Sequence, residues 1–255
     1  MVMKAAIISD IHGNLEALKA VLIDIQDHGV EKIYVLGDLA FCGPEPNETV
    51  DYIRQHLSDH VIIQGNTDEM ILKATGEEDD IYTPKKEVMA CALFYSQKVL
   101  SEENKNFLAQ LPATYSENFD ILPALFVHGS PRKNDEGIFP DVKYSKLDEI
   151  MEGIEAKIIF CGHTHYPIIH QSSGRTVVNV GSVGRPFGEN PRAVYAIFDY
   201  SKVAQREFDV EHRYVPYDTK AASEKLEQCD FEGADTLAYM LRLATDKFPT
   251  PAELN

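Results

Sequence analysis

Five short runs in this 255-residue chain set Asp, Asn and His just past apolar segments that read as strands. Asp10-Ile11-His12-Gly13-Asn14 follows the run 5–9, and Gly37-Asp38 follows 33–36. Gly65-Asn66-Thr67-Asp68 follows 60–64, and His128-Gly129 follows 125–127. Gly162-His163-Thr164-His165 follows 158–161. Taken alone, Asp-x-His is also what an Asx turn beside a surface histidine looks like, and Gly-Asp is a common turn. Gly-His-x-His is more telling, because two imidazoles two residues apart after an apolar strand can face one ion. Together the runs offer Asp10, Asp38, Asn66 and four histidines, a mixed oxygen and nitrogen set suited to borderline divalent cations.

The elements that must carry these residues alternate. Residues 5–9 read as a buried strand, and 15–28 place Leu15, Leu18, Val21, Leu22 and Ile25 at helical spacing. A second strand at 33–36, a helix at 46–57 opened by Pro46 and a third strand at 60–64 follow. Such alternation predicts α/β layering with parallel strands, and ligands in such sheets bind beyond the carboxyl ends of the strands. From about residue 77 the pattern is helical, with breaks at Pro84 and at Ser101, a candidate cap. After Pro112 it turns to strands, at 125–127, 158–160, 167–171, 176–180 and 193–200, with a hairpin turn at 172–175. Residues 219–245 read as helical and acidic, and 248–255 as a loose tail. We read the chain, 1–255, as one domain with 219–255 as a C-terminal helical appendage and tail.

Composition narrows the class. With 44% apolar and 25% charged residues, the chain has globular values, and about 73% of its unfolded surface would be buried on folding. No apolar stretch approaches the roughly 20 residues of a membrane span. Four cysteines without a CxxC pair suggest reduced thiols and a cytoplasmic protein. The formal charge of −17 disfavours polymeric nucleic acid, whose binding depends on neutralising phosphates with basic groups. A small anionic substrate can still enter a locally positive pocket.

In their order and number, Asp-x-His, Gly-Asp, Gly-Asn-x-Asp, His-Gly and Gly-His-x-His resemble the calcineurin-like metallophosphoesterase superfamily, and most of all its short bacterial and archaeal phosphodiesterases. Residues 179–192, with Gly181-Ser182-Val183-Gly184-Arg185-Pro186, resemble that branch too. The resemblance implies a four-layer α/β/β/α sandwich of two mixed sheets flanked by helices. It also implies two divalent ions, of manganese, iron or zinc, between strand ends. Asp10, His12 and His165 would hold one ion, Asn66, His128 and His163 the other, and Asp38 would bridge them. Asp38, Asn66 and His128 would carry the catalytic roles. The implied activity is phosphoester hydrolysis by a hydroxide shared between the ions, since metal binding lowers the pKa of water from about 15.7 to about 7. A phosphodiesterase or dinucleoside polyphosphate hydrolase is expected, with a broad phosphomonoesterase or a non-catalytic scaffold as alternatives. The substrate would be a small phosphorylated molecule such as a nucleotide.

One position departs from the pattern. Many members carry His after the motif Asn, where it can protonate the leaving oxygen, whereas here that residue is Thr67. A threonine hydroxyl is a poor acid, so alkyl monoesters should suffer most, and a terminal phosphate, with a second pKa near 6, least. Asp68, which would orient that histidine, is left without an evident role. Asn14 is a candidate for a substrate phosphate, with a cap on the following helix as the alternative. Arg185 and Arg192 are candidates to clamp a second phosphate, with a surface position as the alternative. His28, His56, His60, His170 and His212 are read as surface or half-buried, and Cys42 and Cys161 as packing residues. The run 77–80 reads as a solvated loop that could also lie at the mouth of the site.

Overall fold

The computed structural model of the chain describes residues 3–74, 84–250 and 252–253; the acidic run 77–80 lies outside them. Two five-stranded sheets stack face to face. The first has the order β10-β9-β1-β2-β3, built from β1 (Lys4–Ile8), β2 (Lys32–Val35), β3 (Val61–Ile62), β9 (Ala193–Asp199) and β10 (Asp209–Val215). The second has the order β4-β5-β6-β8-β7, from β4 (Thr114–Phe119), β5 (Leu122–Val127), β6 (Ile158–Cys161), β7 (Ile168–Ser172) and β8 (Arg175–Asn179). Both are mixed, as expected. β1, β2 and β3 run parallel, as do β5, β6 and β8, while β9, β10, β4 and β7 pair antiparallel.

The period of two along β1 explains the layering. Ala5 and Ile7 face the second sheet, in a layer with Tyr34, Phe126, Phe160 and Phe198. Ala6 and Ile8 face the helices on the other side. In the inter-sheet layer Tyr34 stacks on Phe126 at 4.1 Å and Phe126 on Phe160 at 5.2 Å. The helical face packs α1 (Leu15–Asp27), α2 (Pro46–His56), α3 (Asn66–Lys73), α4 (Pro84–Val99) and α5 (Glu102–Gln110) with the C-terminal α7 (Thr219–Glu227) and α8 (Ala234–Leu243). On the far side of the second sheet α6 (Tyr144–Ile150) buries Leu147 and Ile150 against Ile159 and Val177. The result is an α/β/β/α sandwich.

Several elements differ from the sequence reading, among them α3, which the sequence pattern does not reveal. The helical stretch 219–245 is two helices, because the chain turns at Gly233 with φ of 87°, a value glycine reaches without strain. α6 and β10 lack the local patterns by which most of the other elements were read. α6 is only seven residues long, and β10 is half exposed and ordered by its pairing with β9. Residue 248 is not loose either: Phe248 is half-buried against the helical core. Among the described residues no helix is long and apolar enough to cross a membrane. All four cysteines are free, and Cys42 and Cys161 are buried.

Candidate metal centre

Each of the five runs sits at a strand's carboxyl end or at the turn that leaves it, so parallel pairing in both sheets brings them to one edge. Asp10 and His12 follow β1, Asp38 follows β2, Asn66 opens α3 after β3, His128 follows β5, and His163 and His165 follow β6. The backbone there is unusual. Asp10, His12, Asp38, His163 and His165 all have left-handed φ, between 49° and 68°. Non-glycine residues in that region cost on the order of 1–3 kcal/mol each and persist only where the surroundings over-determine them. Here the surroundings do so. Asp10 N–H donates to Gly37 O at 3.1 Å, His12 N–H to Asp38 O at 2.8 Å, and Gly184 N–H to Asp10 O at 2.9 Å. Ser182, which could be mistaken for a nucleophile, is fully buried and donates its hydroxyl to the Asp10 carbonyl at 2.8 Å.

The side chains form two groups joined by one carboxylate. In the first, His12 Nε2 and His165 Nε2 face each other at 3.0 Å, and His165 Nε2 lies 3.3 Å from Asp10 Oδ1. In the second, His128 Nε2 and His163 Nδ1 each lie 2.9 Å from Asn66 Oδ1. Asp38 reaches both, with Oδ2 3.7 Å from His12 Nε2 and Oδ1 3.3 Å from His128 Nε2. All but Asn66 and His163 are buried.

Second contacts fix how the rings point. His12 Nδ1 donates to Phe41 O at 2.9 Å, His128 Nδ1 to Leu36 O at 2.6 Å and His165 Nδ1 to Arg185 O at 2.6 Å. Each ring therefore turns Nε2 inward, as histidine ligands do when a carbonyl holds the outer N–H. The Nε2 atoms of His12 and His165 face each other, and among the described residues Asp10 Oδ1 is buried with no hydrogen-bond partner. Leaving buried acceptors unpaired is costly, and a divalent cation is the group that satisfies them all. Asp10, His12 and His165 form one compact set of possible ligands, and Asp10, Asp38 and His128 another.

The electrostatics agree. Burial and the neighbouring His165 hold His12 down to about 3, so its ring is neutral at pH 7. His128 meets the same burial penalty, yet the charges of Asp38 and Asp10 push it up to about 10. Although burial opposes its charge, Asp38 is held below the usual carboxylate range by His128 and His12. Two buried carboxylates thus demand positive charge, which a proton on His128 supplies in the absence of metal.

The fold gives Asp68 a role of its own. Its carboxylate accepts from the backbone N–H groups of Asp38, Leu39 and Gly65, at 2.8 to 2.9 Å. It thereby clamps the Asp38 turn to the start of α3. Burial and the charge of Asp38 push it up to about 7, against the pull of those N–H donors. Gly65 is obligatory there, since a Cβ on it would sit 2.1 Å from Asp38 Oδ1.

The three substrate candidates separate. Asn14 caps α1, accepting from Ala17 N–H at 3.1 Å while its amide donates to Gly184 O and Tyr217 Oη. Both its N–H groups are engaged, which leaves no donor for a phosphate. Arg192 is exposed and does not line the cavity over the ligands. Arg185 does. That cavity, of about 350 Å³, is walled by Arg185, Lys85, Phe139, Tyr166, Phe187 and Phe248, with Thr67 near its floor. Of these, sequence reasoning raised Arg185 and Thr67 only. The other wall residues carry no local pattern, although Tyr166 directly follows Gly-His-x-His.

Comparison with known proteins agrees with this arrangement. The calcineurin-like phosphoesterase superfamily domain matches residues 3–203. An uncharacterized protein of Methanocaldococcus jannaschii is 36% identical over 238 residues, 87% of this chain and 90% of that protein. A metallophosphoesterase from Sphaerobacter thermophilus superposes with a TM-score of 0.78 at 27% identity, covering 96% of this chain and all of that one. A hypothetical protein from Pyrococcus horikoshii shares the fold, with a TM-score of 0.81 at 24% identity over 96% of this chain and all of its own. With the family's domain covering residues 3–203, which hold every strand of both sheets except β10, the chain belongs to the calcineurin-like phosphoesterase superfamily.

Proposed function

We propose that the protein hydrolyses phosphodiesters or phosphoanhydrides at a centre of two divalent ions of manganese, iron or zinc. The observation that carries this is Asp38, one carboxylate whose two oxygens face two separate groups of imidazole and oxygen donors. Asp10, His12 and His165 would hold one ion, and Asn66, His128 and His163 the other. When bound, such ions acidify water and draw negative charge from phosphate oxygens.

The chain's own residues supply the rest. Arg185 offers paired N–H donors to a phosphate, the geometry in which guanidinium binds best. Lys85 adds a second cation to a wall that also carries Asp246, which favours an anion there in a chain of net charge −17. Thr67 lines the cavity, with its Oγ1 buried and without a hydrogen-bond partner among the described residues. A hydroxyl of that kind cannot serve as the acid an alkoxide leaving group needs. Leaving groups that depart as weak bases, in activated diesters and anhydrides, are therefore favoured.

The chelated chain, reloaded with manganese, iron or zinc, decides the matter in a substrate panel. Bis(4-nitrophenyl) phosphate and a dinucleoside tetraphosphate should turn over faster than glycerol phosphate. Faster monoester turnover would establish the phosphomonoesterase reading instead. Two bound ions per chain with no hydrolysis of any substrate would establish a non-catalytic scaffold.

A further inference from the structure

One side of the cavity wall comes from a different part of the chain than its floor. The ligands all lie within the family-matched residues 3–203, whereas Met240, Asp246 and Phe248 reach the same cavity from α8 and the segment beyond it. A backbone bond from Glu189 N–H to Ala244 O, 3.0 Å, ties that segment to the loop carrying Arg185 and Phe187.

The aromatic residues of the wall are not equivalent. Phe187 is a buttress: His165 stacks on it at 4.6 Å and the Arg185 guanidinium lies 5.5 Å from its centre. Phe139 and Phe248 are different, for among the described residues neither is paired with another ring. Phe139 leaves 49% of its surface exposed at the cavity, and Phe248 is half-buried with Lys85 Nζ 5.7 Å from its centre. Neither Lys85 nor Arg185 is ion-paired to a carboxylate among the described residues. Two cations that meet no carboxylate among the described residues, close to aromatic rings of which Phe139 is half exposed, match a ligand that is anionic at one end and planar and aromatic at the other.

We propose that Phe139 and Phe248 form a slot for a nucleobase, so that the substrate of this site is a nucleotide whose phosphates lie between Arg185 and Lys85. This rests on the reading of the floor as a phosphoester-hydrolysing centre. It makes the C-terminal segment a specificity element of the site.

The test uses two diesters with one leaving group, thymidine 5′-(4-nitrophenyl) phosphate and methyl 4-nitrophenyl phosphate. In each, water adds to phosphorus, the bond to 4-nitrophenolate breaks, and the phosphate monoester remains with the protons released. With the metal-loaded full chain, kcat/KM should favour the thymidine diester by roughly tenfold, the scale of one base stacked on an aromatic ring, with the difference carried by KM. Phe139→Ala and Phe248→Ala should each bring the ratio several-fold closer to one, and Phe139→Tyr should restore it. Phe139 is exposed, so its variant tests the slot even if Phe248→Ala fails to fold. A wild-type ratio below about two, or a Phe139→Ala variant that slows both diesters equally, would overturn the slot. Equal preference for phenyl 4-nitrophenyl phosphate would overturn the nucleobase in favour of a simple aryl ester. If no diester is hydrolysed, the hydrolase reading falls separately, and calorimetric titration with thymidine 5′-phosphate judges the slot. Binding weakened several-fold by Phe139→Ala sustains it, and absent or unchanged binding overturns it.

Discussion

The floor and the walls of the cavity are built on opposite principles. Floor residues are set by backbone: five of seven hold a left-handed φ, and all but Asn66 and His163 are buried. Wall residues are set by side-chain packing: Phe139 is exposed, Phe248 is half-buried, and Arg185 rests on Phe187. A floor locked by backbone bonds should fail abruptly when one piece is removed, because the two ligand groups share Asp38. A wall assembled from separate loops should give way by degrees, one contact at a time.

The largest effect expected is at Asp38. Asp38→Ala should lower metal-dependent hydrolysis of bis(4-nitrophenyl) phosphate by about a thousandfold or more, with metal analysis showing fewer bound ions. Retained activity would remove the distinction between floor and wall altogether. Next comes Gly65→Ala, which adds no functional group but forces Asp38 aside. Displacement on the order of 1 Å can cost about a hundredfold in rate, so activity should fall by that order in a chain that still folds by circular dichroism. Loss of activity without weaker metal retention would argue against Asp38 as the shared ligand.

Arg185→Ala sharpens the wall side. Losing a charge-assisted contact to phosphate should raise KM about tenfold while kcat changes less, as steady-state kinetics would reveal. An abrupt loss of kcat would move Arg185 from the wall to the floor.

The smallest effect lies in the loop that carries Phe139. Glu136 is held down to about 2, chiefly by Arg132, with a further bond from Ser130. A carboxylate depressed in the folded state contributes stability above its ordinary value near 4.5, and that contribution disappears as pH falls toward 2. The protection of residues 129–142 against amide hydrogen exchange, corrected for the intrinsic rate at each pH, should therefore be unchanged between pH 8 and 6 and measurably lower at pH 3. Glu136→Gln should flatten that dependence, while the floor remains protected.

The same contrast explains what could be read early. Asp10, His12, Asp38, Asn66, His128, His163 and His165 could be singled out because each lies within a few residues of a strand's carboxyl end, and strand ends in a parallel sheet converge. The α/β layering was legible in the alternation of strand and helix patterns, whereas the four-layer sandwich was legible only through the resemblance of the motifs to the family. α6 and β10 were not, because one is a single short helix and the other is a half-exposed strand ordered by its neighbour.

Local chemistry therefore determined the candidate donors, most of the strands and the edge they share, since these rest on residue type and on spacings of a few positions. Only the folded chain decided that the Asn14 amide is taken up by Gly184 and Tyr217, that Asp68 clamps the Asp38 turn, and that Phe139, Phe187 and Phe248 line one cavity. Those outcomes depend on contacts between distant segments, as far apart as the 203 positions that separate Asn14 from Tyr217. A side chain's own neighbours in sequence carry no record of which distant backbone carbonyl or ring will be packed against it.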